Sequence, residues 1–202
     1  MKKIGVVSAG LGTAVSIKNL IFKIGEDAEL ITDFSNIDHY SHIVLPGVGS
    51  FDEGSKLIVG TGWGGAIKSH VEKGKWLLGV CLGMQLLGKG SEEGSLEGLG
   101  LLDFTTKKLR SSELYKVPNM GWGKVEFFSD HGISHNLIEV NRFYFVHSFG
   151  VQSSFEYCIA TSKHTETFCS VIGKENVLGV QFHPEKSHHY GKTLMKNFLE
   201  LK

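Results

Sequence analysis

An apolar run, Leu77-Leu78-Gly79-Val80, ends at a single thiol, Cys81, and continues through Leu82-Gly83-Met84-Gln85-Leu86-Leu87 in a helix-like pattern. This describes a buried strand that turns sharply into a helix. Glycines at i−2 and i+2 frame the thiol, as in the Gly-x-Ser-x-Gly elbow, where side chains at those positions would collide in the turn. Such a turn lifts the sulfur clear of a sheet and sets it at a helix N-terminus. Unpaired N–H groups and the partial positive charge there favour thiolate, the reactive form. A chain with this segment is constrained to strand-turn-helix architecture and is suited to acyl transfer through Cys81.

Free cysteine often packs as a small hydrophobe. That structural reading fits Cys158 and Cys169, which lie in plain strand-like alternation without a glycine frame. Neither spacing suggests a zinc site or a C-x-x-C pair.

A base for the thiol is expected about one hundred residues on, in Val180-Gln181-Phe182-His183-Pro184-Glu185. Glu185 lies two residues from His183, where a carboxylate can accept the second ring N–H and fix the tautomer. A thiol nucleophile needs an imidazole to take and return its proton, and the imidazole needs an orienter. In open α/β sheets such groups gather at the carboxyl ends of parallel strands. The loop Pro46-Gly47-Val48-Gly49-Ser50-Phe51 follows another apolar run. It reads either as a simple turn or as a source of N–H donors for a developing oxyanion.

The 202 residues suffice for one sizeable core, and residues 1–202 are expected to form a single domain. Lys plus Arg equals Asp plus Glu at 21 each, so no net field attracts nucleic acid or an anionic membrane. No apolar stretch approaches the roughly 20 residues of a membrane span. Three cysteines, one of them placed as a working thiol, suggest a reducing cytoplasm.

The pattern alternates between strands and helices through the first half. Strands are expected over residues 3–7, 28–31, 43–45 and 76–80, and helices over 14–24, 65–73 and 82–88. This argues for a parallel sheet covered on both faces. The second half is strand-rich, over 121–128, 142–146, 157–161, 168–172 and 177–181, before a final helix over 190–201. An antiparallel extension of the sheet is the simplest reading.

Gly10-Leu11-Gly12 follows the first strand, but Val15 stands where a dinucleotide fingerprint needs its third glycine. His188 and His189 lack a carboxylate or thiol to complete a metal set, and a solvated helix terminus accounts for them better.

The Cys81 and His183 motifs together resemble the class I, triad-type glutamine amidotransferases, which release ammonia from glutamine and pass it to a synthase. Val117-Pro118-Asn119-Met120-Gly121-Trp122, Tyr144-Phe145-Val146-His147-Ser148-Phe149 and the Pro46 loop are similar to one branch. That branch is the glutaminase subunits of imidazole glycerol phosphate synthase. The resemblance implies a flavodoxin-like three-layer α/β fold with a mostly parallel sheet. It makes Cys81 the nucleophile, His183 the base and then the acid, and Glu185 its orienter. It implies that Leu82 and the Val48-Gly49 loop hold the oxyanion, the loop being poorly arranged until a partner binds its ligand. Gln85, His147 and Ser148 would line the glutamine site. Asn119, Met120, Trp122 and Tyr144 would face a cyclase or synthase subunit in a heterodimer. From the residues alone Trp122 reads equally as a core aromatic. No metal or other cofactor is implied.

The chain departs from that branch at Ser8-Ala9-Gly10-Leu11-Gly12-Thr13, where members usually carry Asp-Tyr-Gly and then Gly-Asn. It departs again at Asn119 and Gly123, where they carry His and Asn. Glu185-Lys186-Ser187-His188-His189-Tyr190-Gly191 also resembles paralogues that supply ammonia for sugar amidation in surface-polysaccharide biosynthesis. A free-standing amide hydrolase and a non-catalytic regulatory subunit are the readings from other classes.

Overall fold

The computed structural model describes residues 2–113, 115–128, 131–137 and 141–202. The first half runs β1 (Ile4–Val7), α1 (Ala14–Phe22), β2 (Glu29–Ile31), β3 (His42–Gly47), α2 (Phe51–Ile58), α3 (Gly62–Glu72), β4 (Trp76–Cys81) and α4 (Leu82–Leu86). Then follow β5 (Gly90–Ser91), β6 (Thr105–Lys108), β7 (Asn119–Lys124), β8 (Glu126–Phe127), β9 (Arg142–His147) and β10 (Phe149–Gln152). The chain continues with β11 (Cys158–Lys163), β12 (Thr167–Lys174), β13 (Val177–Val180) and α5 (His188–Glu200).

The main sheet has the order β2-β1-β3-β4-β13-β12-β10-β6-β5, with β11 pairing β12 and β8. The first five strands of that order are parallel, and the sheet turns antiparallel at β12. Strands β7 and β9 form a separate two-stranded ladder. The expected α/β class, parallel sheet and antiparallel extension are therefore all present.

Period-2 alternation along the central strands divides the core into two layers. Val44, Leu78, Val80 and Val180 face α1 and α5, packing with Ile17, Ile21, Leu194 and Phe198. Ile43, Leu45 and Leu77 face the other way, against Phe51 and Ile58 of α2, Ile67 of α3 and Met84 of α4. Each fully buried aliphatic side chain contributes about 1.5–3 kcal/mol, so this central stack is the rigid base on which Cys81 stands.

Two expectations are corrected, and one helix was not expected. Pro46 and Gly47 continue β3 rather than ending it. Strand β1 stops pairing at Val6↔Val44, so at Pro46 only β4 is alongside, and an edge position tolerates a residue with no N–H. The expected strand over 121–128 is two, because at Val125 the chain leaves the β7–β9 ladder and β8 joins the main sheet beside β11. The Val125 N–H donates to Asn141 Oδ1 at that crossing. Helix α2, for which the periodicity gave no sign, packs its Phe51 and Ile58 into the second layer.

Candidate active site

Cys81 is the last residue of β4 and precedes α4, with φ 56° and ψ −111°. A non-glycine residue with positive φ is strained and persists only where its surroundings over-determine it. Those surroundings are the framing glycines. A Cβ on Gly79 would lie 2.7 Å from the Gly83 carbonyl oxygen, and one on Gly83 would lie 1.8 Å from that of Leu45. The close crossing of β3, β4 and α4 therefore excludes any side chain at either position.

Strand β13 runs parallel to β4 with Val180 opposite Val80. The chain beyond it carries His183 to the same end of the sheet as Cys81. His183 Nδ1 hydrogen-bonds Glu185 Oε1 at 2.8 Å, with both side chains almost wholly buried. A carboxylate only accepts, so Nδ1 carries the proton of that bond and Nε2 is left for the Cys81 sulfur. Burial would drive the imidazolium's pKa down, but hydrogen bonds and charge from Cys81 and Glu185 outweigh it and raise His183 to about 9. Main-chain bonds fix the histidine further. Its N–H donates to Tyr144 O at 2.8 Å, and Ser187 Oγ donates to its carbonyl at 2.6 Å while accepting the Tyr144 N–H at 3.0 Å.

A cavity of about 280 Å³ opens beside the sulfur. Its wall gathers Val48, Gly49, Cys81, Leu82, Gln85, His147, Ser148 and His183, every one expected near the substrate. Glu185 stands behind His183, outside this cavity. The Val48 N–H donates to Leu11 O at 3.0 Å and is therefore not aimed at the cavity, while Gly49 holds φ +110°.

His147 Nδ1 donates to Phe149 O at 2.9 Å, so Nε2 has a lone pair, and it accepts from Asn119 Nδ2 at 2.9 Å. Burial pushes this ring down to about 4, so it is neutral at physiological pH. Asn119, expected at an interface, thus also braces the cavity wall across the β7–β9 ladder, where it pairs with His147.

Met120 and Trp122 are 63% and 44% exposed, which excludes the core reading of Trp122. The Trp122 ring packs edge-on against Tyr144 and stacks on His188 at 5.4 Å. The Lys186 ammonium lies 5.6 Å from the Tyr144 ring centroid. His188 is therefore part of an aromatic surface cluster beside the site as well as the start of α5.

Sequence reasoning gave no role to Glu93, Pro118, Val146, Phe149 or Lys186, all of which reach the cavity. Glu93 is a surface carboxylate in an unremarkable acidic pair. Only the fold brings it over α2, where Oε2 accepts the Phe51 N–H at 2.9 Å.

A cysteine on a strand–helix elbow, facing a histidine oriented by a carboxylate at the end of the next parallel strand, is the constellation of cysteine-dependent acyl transfer. The family model for class-I glutamine amidotransferases matches residues 10–201. An imidazole glycerol phosphate synthase subunit HisH 2 from Methanococcus maripaludis is 44% identical, covering 98% of each chain. A protein of the same description from Pseudomonas aeruginosa is 37% identical over 97% of this chain and 98% of the relative. Among solved structures, PurLQS from Thermotoga maritima contains a chain that aligns with a TM-score of 0.73 at 19% identity, covering 98% of both chains. The chain belongs to the class-I glutamine amidotransferase family, in the branch of the imidazole glycerol phosphate synthase HisH subunits.

Proposed function

We propose that this chain is the glutaminase subunit of an imidazole glycerol phosphate synthase. It hydrolyses glutamine to glutamate and passes the ammonia to a cyclase subunit for histidine biosynthesis. One observation carries the reading: the buried, oriented Cys81–His183–Glu185 set faces a cavity sized for a free amino acid.

The Cys81 sulfur attacks the side-chain amide carbon of glutamine. The thiol proton passes through His183 to the leaving nitrogen, which departs as ammonia and leaves a glutamyl thioester. Water then attacks the thioester, His183 takes its proton and returns it to the sulfur, and glutamate is released. Glu185 holds the ring and balances its charge throughout. Leu82 N–H, at the start of α4, is one oxyanion donor. The Val48–Gly49 loop supplies a second only after rearranging, since the Val48 N–H is engaged by Leu11. This makes catalysis dependent on a partner that shifts the loop. Glu93, which lines the cavity, accepts from the substrate's α-ammonium group.

The cyclase subunit docks over the β7–β9 face, where Met120, Trp122 and Tyr144 present apolar surface beside the cavity and keep departing ammonia out of bulk water. Residues 1–202 act as one domain, and the three free thiols suit the cytoplasm. No helix among the described residues is long and apolar enough to cross a membrane.

Complementation tests the pathway. A strain lacking its own glutaminase subunit, but keeping the cyclase partner of this chain, should grow without histidine when the chain is supplied. Cys81→Ala should restore growth only at high external ammonia. Failure of the wild-type chain, produced in folded form, would refute the assignment.

A further inference from the structure

Gln181 is wholly buried and separated from His183 by one residue, yet the reaction above does not use it. The hydrogen bonds around it determine which way its amide faces. Gln85 Nε2 donates to Phe149 O at 3.0 Å, and a carbonyl can only accept, so that end of Gln85 must be the NH₂ group. The same nitrogen lies 3.2 Å from the Gln181 side chain, which must therefore present its oxygen, Oε1. The Gln181 NH₂ group then points the other way, and Nε2 lies 3.9 Å from Cys81 Sγ. On another side the sulfur approaches Val146 O at 3.8 Å.

These two contacts favour opposite protonation states. A thiol can donate to the Val146 carbonyl, whereas a thiolate meets only oxygen lone pairs there. A thiolate accepts from an N–H, and a hydrogen bond to the charged form favours that form. We infer that Gln181 is a further catalytic residue, whose Nε2–H holds the Cys81 thiolate, while Gln85 is the positioning residue that forbids the opposite amide orientation. The relay Phe149 O, Gln85, Gln181, Cys81 begins on β10 beside the cavity wall, and so links the sulfur to the geometry of that wall. The inference deepens the glutaminase reading and rests on it.

The test uses thiol alkylation, which needs neither glutamine nor a partner. The full chain is treated with neutral iodoacetamide across pH, and modification of the Cys81 peptide is followed by mass mapping to separate it from Cys158 and Cys169. Gln181→Leu removes the donor. Gln181→Met keeps the chain length and nearly the volume but offers the sulfur no N–H. Both should move the alkylation midpoint up by about one pH unit, with the near-UV circular dichroism unchanged. In the assembled synthase the same variants should lose about tenfold in kcat, with KM nearly constant. If Gln181→Leu does not fold, Gln181→Met alone carries the test. A midpoint that stays at the wild-type value in a folded variant overturns the inference, whatever the glutaminase assay returns. A shifted midpoint without glutamine hydrolysis by the wild-type chain would instead count against the glutaminase reading.

Discussion

Gly83→Ala should be among the most damaging single-carbon additions this chain can suffer. The new Cβ would lie 1.8 Å from Leu45 O, and about 3.4 Å is the closest ordinary contact between such atoms, so the two must separate by about 1.6 Å. Neither side can yield cheaply. Leu45 lies in β3, which pairs with β4 residue by residue from His42↔Trp76 to Gly47↔Cys81, and β4 is held on its other edge by β13. Overpacking of a tight core costs about 1–3 kcal/mol, and a backbone obstacle belongs at or above the top of that range. For a chain of this length, 3 kcal/mol corresponds to a fall of roughly 6–12 °C in Tm. Gly65 in α3 is the internal control, because a Cβ there meets nothing within 4 Å. Gly65→Ala should therefore stabilise by about 0.5–1 kcal/mol through helix propensity. Urea unfolding of the two variants beside wild type reads both signs. A Gly83→Ala protein within about 1 kcal/mol of wild type would refute the elbow geometry as the reason for glycine.

His183 is raised from 6.5 to about 9, so its contribution to stability should be full below pH 6.5 and vanish as pH climbs through about 9. His147 is lowered to about 4, so stability should fall as pH drops from 6.5 toward 4, where the unfolded chain takes up the proton first. Chemical denaturation from pH 4 to 10, repeated with His183→Asn and His147→Gln, should flatten the alkaline and acid limbs respectively. Trp122→Ala should leave the fold intact but weaken binding of the cyclase subunit by about 2 kcal/mol, roughly 30-fold in Kd, as read by calorimetric titration. Glu93→Ala should raise KM for glutamine with little change in kcat, because it removes a ground-state contact remote from the reacting carbon.

The candidate active site was legible because its constraints are local. Gly79, Cys81 and Gly83 encode the elbow within five residues, and His183 with Glu185 encodes the oriented base within three. The alternation of apolar runs also gave the parallel sheet, since its central strands β1, β3, β4 and β13 are buried on both faces. What failed to show depended on tertiary partners. Helix α2 is eight residues long with Gly54 inside it, too short to display a period, and its Phe51 is fixed by Glu93 from a loop 42 residues away. Pro46 looked like punctuation because nothing local reveals that β1 ends before it. The division of residues 121–128 between two sheets depends on pairing with β9 and β11, both later in the chain. Gln181 was visible inside its motif, but its task depends on Gln85, 96 residues earlier.

The most direct measurement is glutamate release from glutamine by the purified chain mixed with the cyclase subunit proposed as its partner, with and without that subunit's nucleotide-derived ligand, for wild type and for Cys81→Ala. Release should be slow by the chain alone, strongly stimulated by the ligand-loaded partner, and absent from Cys81→Ala, which still supports synthesis from added ammonia. Glutamate release that survives Cys81→Ala would contradict the assignment of Cys81 as the nucleophile.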